Sequence, residues 1–211
     1  MNFLAHLYLS GNNPDLIVGN FIADHVKGNQ IQLFRSGVRD GIVLHRSIDA
    51  FTDGHETVRQ SVIRLRPSFR KYAGVVVDMF YDHFLASNWK DYSEVTLEVF
   101  STHCYSVLQN YTGPLPERTK RMLYFMSRDN WLLAYASTEG IQTALSGMAG
   151  RTSFYSGMEN AADALLEGYD DFRSEFRLFF PDLVNHANLM RNDLLAKTGN
   201  LITEIPGLKI K

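Results

Sequence analysis

The segment at residues 69–88 is apolar on nearly every side when it is drawn as an α-helix. A helix without a polar face belongs in the interior of a protein, so the other segments must pack around this one. Yet Asp78 and Asp82 lie within it one turn apart, and burying an ionised carboxylate without compensation costs several kcal/mol. The segment therefore predicts a central helix whose two acids meet something positively charged. Its apolar side chains are Val75, Val76, Val77, Met79, Phe80, Tyr81, Phe84 and Leu85.

The segment 41–55 carries a second row of acids. His45, Asp49 and Asp53 recur every four residues, so a helix would place them along one flank. At about 100° per residue, His45 and Asp49 lie beside the apolar seam of that helix, where a purely structural helix would not put them. A half-buried row of two carboxylates and an imidazole requires a cation, so we expect a metal ion here. The alternative is an ordinary ion pair between Asp49 and Arg46, three residues earlier.

Composition limits both the class of protein and the kind of metal site. The 211 residues suffice for one sizeable domain, and 45% hydrophobic against 21% charged residues argue against disorder. Because the net charge is −2, nothing global attracts nucleic acid or an anionic membrane. Cys104 is the only cysteine, which excludes thiolate clusters and leaves nitrogen and oxygen ligands. The sequence starts without a basic leader, and no apolar run approaches the roughly 20 residues of a membrane span, so we expect a cytoplasmic protein.

Helical periodicity recurs along the chain, and no segment shows the alternation of a β-strand. We predict an all-α, single-domain helical bundle over residues 1–197 and a C-terminal tail without helical pattern over residues 198–211. Asn13 predicts an N-cap for the second helix. Pro67 and Pro181 predict helix ends, although Pro181 could instead open the last helix. The predicted helical segments are 2–10, 14–26, 33–54, 56–65, 69–88, 93–111, 119–137, 139–148, 156–180 (one helix or two) and 182–197.

Six acidic or imidazole side chains on four predicted helices lie in apolar surroundings, and we expect the metal ligands among them. Taken singly, His6 could be a hydrogen-bonded core histidine and Asp24 could face solvent. Taken together, a mixed set without thiols suits Mn²⁺, Mg²⁺ or Fe better than structural zinc. Such an ion would lower the pKa of a bound water and polarise a phosphoryl oxygen, which predicts a metal-dependent hydrolase. The candidate ligands are His6, Asp24, His45, Asp49, Asp78 and Asp82.

Arginine and histidine side chains near these acids could assist the reaction. Arg46 shares a helix with His45 and could grip a substrate phosphate, because the guanidinium fork matches two oxygens. His83 is a weaker candidate for a general acid or for a residue that supports a ligand, since it points about 100° away from Asp82 on the helix. The Gly-rich phosphate loop, Gly-x-Ser-x-Gly elbow and His-Glu-x-x-His signatures are absent from the sequence. The residues predicted to take part in catalysis are Asp24, Arg46, Asp78 and His83.

Several short motifs in a fixed order resemble those of the acyl carrier protein phosphodiesterases, also called acyl carrier protein hydrolases. That family is similar to the HD-domain phosphohydrolases, which implies an HD-domain-like bundle. A standard HD site has an adjacent His-Asp pair, whereas this chain has only reversed pairs, at Asp24 with His25 and at Asp82 with His83. The motifs are Met-Asn-Phe-Leu-Ala-His-Leu at 1–7, Gly-Asn-Phe-Ile-Ala-Asp at 19–24, His-Arg-Ser-Ile-Asp-Ala-Phe-Thr-Asp at 45–53, Asp-x-x-x-Asp-His at 78–83, Arg-Thr-Ser at 151–153 and Ser-Gly-Met-Glu at 156–159.

The resemblance implies a particular reaction and metal. The reaction is hydrolysis of the phosphodiester that joins 4′-phosphopantetheine to a serine of holo-acyl carrier protein, with Mn²⁺ as the metal, and His45 with Asp49 would take over the role of the HD pair. Two other functions stay open. One is an HD-like phosphohydrolase of nucleotides or other small phosphodiesters, and the other is an inactive helical module that binds the carrier protein without cutting it.

A basic surface should bind the carrier protein, because carrier proteins are acidic. Any single basic residue could equally be an ordinary solvated side chain. We favour the group that flanks the loop between the two acid-bearing helices, namely Arg64, Arg66, Arg70 and Lys71. Other basic residues that could serve are Arg35 and Arg39 or, as a separate group, Arg118, Lys120 and Arg121.

Overall fold

The computed structural model describes residues 1–198, and every regular element within that range is helical. This confirms the all-α, single-domain prediction, while the HD-like detail stays a prediction. Of the predicted tail, residues 199–211 lie outside the described residues. None of the helices in the described range is both long and apolar enough to cross a membrane. The α-helices are α1 Phe3–Leu9, α2 Pro14–Ile22, α3 Ser36–Gly54, α4 Glu56–Phe69, α5 Ala73–Ser87, α6 Leu97–Gln109, α7 Glu117–Arg128, α8 Trp131–Ala134, α9 Thr138–Ala149, α10 Ala161–Glu167 and α11 Tyr169–Thr198.

Short 3₁₀-helices complete several of the connections. They replace the ends of some predicted α-helices, because α2 stops at Ile22 and α3 does not begin before Ser36. The predicted N-cap is confirmed, since the Asn13 side chain accepts hydrogen bonds from the first turn of α2. The 3₁₀-helices are Ala23–His25, Gly28–Leu33, Arg70–Tyr72, Trp89–Asp91 and Met158–Asn160.

Helix α5 is the central element, as its apolar sequence predicts. Almost all of its side chains from Ala73 to Ala86 are buried. One side packs against aromatic residues of α11, where Phe80 lies edge-on to Phe172 with ring centroids 5.2 Å apart. Such edge-to-face pairs add to the energy of simple burial. Because α11 and α4 cover this side, the other side of α5 is left to contact α1 and a cleft.

Two glycines let α2 and α3 approach closely. A Cβ atom on Gly41 would lie 2.6 Å from the carbonyl oxygen of Leu16, and one on Gly19 would overlap the carbonyl oxygen of Val38. Only glycine avoids these clashes. The close approach brings the polar side chains at the end of α2 against those of α3, which is where the candidate site forms.

The predicted helix ends at the two prolines are wrong. Helix α4 continues through Pro67 to Phe69, and α11 runs through Pro181. Each proline removes one intrahelical hydrogen bond, but both lie on an exposed face, where water can satisfy the freed carbonyl. In α11 the aromatic face on the opposite side is fully buried, and that packing keeps the helix continuous.

The predicted helix at 119–137 is also divided. Helix α7 ends at Arg128, and Asn130 adopts a left-handed φ of 41° before α8 begins at Trp131. Asparagine tolerates this conformation better than most residues because its side chain can hydrogen-bond locally. The resulting turn places Trp131 beside Phe125 in the wall of the cleft.

Candidate functional site

The candidate site is a cleft of about 930 Å³ between two groups of helices. Elements α1, α3, α5 and the 3₁₀-helix Ala23–His25 supply one wall, and α7, α8, α9 and the residue Arg151 supply the other. Acids and imidazoles dominate the first wall, whereas arginines and apolar side chains dominate the second. The lining residues include His6, Asp24, His25, His45, Asp49, Asp53 and Asp78 on one side, and Arg118, Arg121, Met122, Phe125, Trp131, Met148 and Arg151 on the other.

His6, His45 and Asp49 form a compact group at the base of this cleft. The Nε2 atom of His6 lies 3.1 Å from Asp49 Oδ1, and Nε2 of His45 lies 3.1 Å from Asp49 Oδ2. The two imidazole rings stack, with centroids 4.0 Å apart and planes inclined by 18°. Each residue offers one ligand atom, and these atoms all lie within 4.8 Å of one another. Three of the six predicted ligands are therefore brought to one point.

Asp24 extends the group towards solvent. Its Oδ1 atom lies 3.2 Å from His45 Nε2, and its side chain is 63% exposed. The hydrogen bond from His45 holds the pKa of Asp24 below its usual range. A fourth predicted ligand thus stands at the open edge of the same cluster.

Asn20, on α2, links the two helices that carry the cluster, α1 and α3. Its side-chain Nδ2 donates hydrogen bonds to the carbonyl oxygen of His6 and to Ser10 Oγ, and its Oδ1 accepts one from Nδ1 of His45 at 2.9 Å. The bond fixes the proton on Nδ1 of His45, so Nε2 is turned towards the carboxylates and can act as a ligand atom. The sequence prediction missed this role, although Asn20 lies four residues before Asp24 in the segment predicted as one helix.

The protonation states of the cluster follow from burial and mutual contacts. Burial alone would lower the pKa of His45, but its hydrogen bonds with Asp24 and Asp49 outweigh that effect and raise the pKa to about 9. Burial lowers the pKa of His6. Burial would raise the pKa of Asp49, yet the hydrogen bonds from both histidines bring it far below its usual range. At neutral pH the metal-free cluster is thus a charged network around His45.

The cluster has the chemistry of a divalent cation site. Two imidazole nitrogens and one or two carboxylate oxygens form a mixed donor set that suits first-row transition ions such as Mn²⁺ and Fe²⁺. His45 is well prepared as a ligand, because Asn20 fixes its tautomer. His6 is less well prepared: its Nε2 faces two acceptors, Asp49 Oδ1 and the carbonyl oxygen of Met1, and its buried Nδ1 has no hydrogen-bond partner in the described part of the chain.

Asp82, one of the six predicted ligands, does not join this cluster. Its fully buried carboxylate accepts backbone hydrogen bonds from Leu4 at 2.8 Å, Ala5 at 3.2 Å and Asn2 at 3.3 Å. The buried carboxylate is therefore compensated by the N–H groups and the partial positive charge at the amino end of α1 rather than by a metal. Burial still raises the pKa of Asp82 to about 7.

Asp78 lines the cleft but lies apart from the three-residue group. Its Oδ1 atom accepts a hydrogen bond from the terminal ammonium group of Met1 at 2.8 Å, and the two form an ion pair. Asp53 lies on the same side of the cleft. Both acids are half-buried or exposed, so they can contact a bound molecule without belonging to the cluster.

Two predicted catalytic residues lie outside the cleft lining. His83 is buried on another side of α5, with Nδ1 2.9 Å from the carbonyl oxygen of Tyr135 and Nε2 3.2 Å from the Tyr169 hydroxyl. Arg46 is exposed and donates a hydrogen bond to the carbonyl oxygen of Val26 at 3.3 Å. A spacing of one residue on a helix rotates a side chain by about 100°, which explains why neighbours of site residues point elsewhere.

The predicted docking group Arg64 to Lys71 is divided by the structure. Arg64 binds Glu175 through both terminal nitrogens, at 2.8 and 3.1 Å, and its guanidinium packs over the ring of Phe172. This residue therefore links α4 to α11 and is not free to bind a partner. Arg66, Arg70 and Lys71 are exposed and stay candidates.

Three arginines face the cluster from the opposite wall. Within residues 1–198, no carboxylate lies within ion-pair distance of Arg118, Arg121 or Arg151. Sequence reasoning named the first two only in an alternative docking group, and it saw the third only as part of a motif. The remaining member of that group, Lys120, instead binds Glu117 at 2.7 Å. These guanidinium groups, without a carboxylate partner among residues 1–198, give this wall of the cleft a positive charge.

His25 is a further cleft residue that sequence reasoning did not propose for the site. Its Nδ1 lies 2.8 Å from the hydroxyl of Thr119 on α7, a contact that joins the two walls. Burial and the nearby charge of Arg118 lower its pKa, although Asp24 acts in the opposite direction. The one feature of the sequence that could have indicated a role for His25 in the site is its position next to Asp24.

The fold and the site define an all-helical protein with a histidine–carboxylate cluster opposite an arginine wall. The family model described as acyl carrier protein phosphodiesterase matches residues 1–183. The chain therefore belongs to the acyl carrier protein phosphodiesterase family and is an enzyme of the phosphodiesterase class.

Similar proteins named acyl carrier protein phosphodiesterase occur in several bacteria. The one from Photorhabdus laumondii subsp. laumondii is 34% identical over 188 residues, which cover 89% of this chain and 95% of the relative. Those from Enterobacter sp. and Escherichia coli are 33% and 31% identical over 188 and 189 residues, with 89% of this chain covered and 97% and 98% of the relatives. No solved structure matches this chain at a significant level.

Proposed function

We propose that this enzyme hydrolyses the phosphodiester between 4′-phosphopantetheine and a serine of holo-acyl carrier protein, and that it releases apo-acyl carrier protein. The names of its relatives support the substrate. The observation that carries the proposal is the cleft itself, in which a histidine–carboxylate cluster faces arginines that have no acidic partner among the described residues. A phosphodiester anion bound between the two walls would pair with the arginines on one side and with a metal ion held by the cluster on the other.

We propose Mn²⁺ as the metal, with Mg²⁺ or Fe as alternatives. His6, His45 and Asp49 would hold the ion, and Asp24 would complete the set from the open edge. A divalent cation at this position supplies Lewis acidity, which lowers the pKa of water and polarises a phosphoryl oxygen. The chain contributes the orientation of the ligands, chiefly through Asn20.

Arg118, Arg121 and Arg151 would bind the phosphate in place of the predicted Arg46. Guanidinium groups match pairs of phosphate oxygens, and their fixed charge stabilises the negative charge that grows in the transition state. In the reaction a water oxygen bonds to phosphorus, the bond from phosphorus to the serine oxygen breaks, and that oxygen takes up a proton. His25 lies in the cleft with Nδ1 engaged by Thr119, which leaves Nε2 as the group that would take the proton from the attacking water and pass it to the serine oxygen.

The apolar part of the arginine wall would accommodate the pantetheine arm. Met122, Phe125, Trp131 and Met148 line it, and all four are partly exposed to the cleft. Cofactor and ligand sites combine such apolar walls with a few polar groups that fix orientation. The phosphate end and the arm would thus occupy different parts of one cavity.

The direct test is conversion of holo to apo carrier protein, followed by intact mass. Purified enzyme with Mn²⁺ should remove the arm, and EDTA should stop the reaction. Asp49→Asn should reduce turnover by about 100-fold or more, whereas the exposed Asp193→Asn on α11 should leave it unchanged. Absence of conversion with Mn²⁺, Mg²⁺ and Fe²⁺ would overturn the proposal. Equal turnover of a small phosphodiester would instead favour a general phosphohydrolase.

A further inference from the structure

A second groove, of about 440 Å³, lies beside the candidate active site. Its walls are residues 67–72, at the junction of α4 and α5, and residues 154–156 in the loop that follows α9. Phe154 and Tyr155 are 69% and 78% exposed there, which is unusual for two adjacent aromatic side chains on one surface. Exposed apolar groups bordered by polar ones commonly mark a binding surface.

Three cations surround this aromatic pair. The Nζ atom of Lys71 lies 4.7 Å from the centroid of the Phe154 ring and 5.1 Å from that of Tyr72. Arg70 also lines the groove, and Arg66 is exposed one residue before the lining residue Pro67. In the part of the chain that the structure describes, none of the three has a carboxylate within ion-pair distance, whereas the neighbouring Arg64 is held by Glu175. The groove therefore presents uncompensated positive charge around an apolar floor.

The backbone holds this groove next to the cleft. Arg151 and Val75 line the cleft, while Phe154 and Tyr72, three residues away from each, line the groove. Gly157, with a φ of 72°, seats the loop against α4, where an added Cβ would lie 3.4 Å from the Ser68 carbonyl oxygen. A molecule bound in the groove could thus reach into the cleft with an extended arm.

We propose that this groove, lined by Arg70, Lys71, Phe154 and Tyr155 and adjoined by the exposed Arg66, is the docking surface for the acidic carrier protein. The inference rests on the proposed function and deepens it. Acidic side chains of the partner would meet the three cations, and an apolar side chain would enter between the two aromatic rings. The chain as a whole has a net charge of −2, so the attraction must come from a local surface of this kind.

A second copy of the chain is a poorer occupant. In a symmetric dimer the same patch lies on both partners, so this groove would set its own cations against each other. Like charges juxtaposed across an interface oppose association. The acidic carrier has the complementary charge.

The test compares two double charge reversals. Arg70→Glu with Lys71→Glu alters the lining of the groove, and Lys90→Glu with Arg177→Glu makes the same change in charge at exposed residues near the other end of α5. Affinity for fluorescently labelled apo carrier protein, KM and kcat for holo carrier, and turnover of bis(p-nitrophenyl) phosphate are measured. We expect the groove variant to raise the Kd and KM about tenfold or more, with kcat and small-substrate turnover within about twofold. The control variant should behave as wild type in all four measurements.

A second pair of variants tests the aromatic floor without changing charge. Phe154→Ala with Tyr155→Ala should also weaken carrier binding, whereas Leu189→Ala, an exposed apolar residue on α11, should not. If the groove variants bind carrier as tightly as wild type, the docking inference is overturned while the proposed reaction stands. If wild type binds carrier through the groove but never cleaves it, the docking inference holds and the reaction is wrong. If the wild-type enzyme neither binds nor cleaves the carrier protein, both proposals are overturned. If the wild type is a dimer, and the groove variant is a monomer that binds the carrier protein as tightly as before, the docking inference is overturned.

Discussion

The Nδ1 atom of His45 lies 2.9 Å from Oδ1 of Asn20, and this hydrogen bond turns the other ring nitrogen towards Asp49 and Asp24. The same asparagine donates to the carbonyl oxygen of His6. One buried amide on α2 thereby sets the positions of two imidazoles on α1 and α3. In metalloproteins, hydrogen bonds from neighbouring residues commonly orient the side chains that bind the metal in this manner.

The first prediction concerns this amide. Asn20→Leu should weaken Mn²⁺ binding by about 10- to 100-fold, because His45 loses the partner that fixes its tautomer. Isothermal titration of Mn²⁺ into the metal-free protein measures the change. Ser61→Ala, which removes a buried hydrogen bond to Tyr81 outside the cleft, is the matched control and should leave the Mn²⁺ affinity unchanged. An unaltered affinity in Asn20→Leu would show that His45 needs no such support.

The second prediction concerns pH. The pKa of His45 in the metal-free protein is raised to about 9 by Asp24 and Asp49, despite burial, so below pH 9 a metal must displace its proton. Mn²⁺ affinity should therefore rise with pH up to about 9 and then level off. Titrations in buffers with different ionisation enthalpies should detect release of about one proton at pH 7.5. Binding at pH 7.5 without proton release would mean that His45 is not a ligand.

The third prediction separates a structural acid from a ligand. Asp82→Ala should lower the free energy of unfolding by roughly 2–4 kcal/mol, because it leaves buried N–H groups of the first turn of α1 without an acceptor. Urea denaturation measures this loss. Asp82→Asn should cost less, since the amide oxygen still accepts. If Asp82→Ala kept its stability but lost Mn²⁺ binding, the prediction from the sequence that Asp82 is a metal ligand would be right.

The fourth prediction distinguishes two arginine sets. Replacing Arg118, Arg121 or Arg151 with alanine should each reduce kcat/KM for holo carrier by about 10- to 100-fold, because each removes a cation from the phosphate side of the cleft. Arg46→Ala should change kcat/KM less than about twofold. Steady-state kinetics with intact-mass detection provides the comparison. A large loss in Arg46→Ala alone would restore the phosphate role predicted from the sequence.

The sequence alone determined the structural features that depend on residues only a few positions apart in the chain. The nearly continuous apolar pattern of α5 determined its burial, and the four-residue spacing of His45 and Asp49 determined that they share a helix flank. The N-cap at Asn13 is likewise a local hydrogen bond. These features follow from helix geometry and local hydrogen bonds, both of which depend only on the residues of one short segment.

Only the tertiary structure decided which distant groups meet. Asp82 is compensated by the amino end of α1, nearly 80 residues earlier, whereas the sequence suggested a metal for the same charge. Arg118, Arg121 and Arg151 line the same cleft as the cluster because the packing of α7 to α9 brings them there. Both outcomes have one physical reason: a buried charge requires compensation, but packing between helices decides whether backbone, side chain or ligand supplies it.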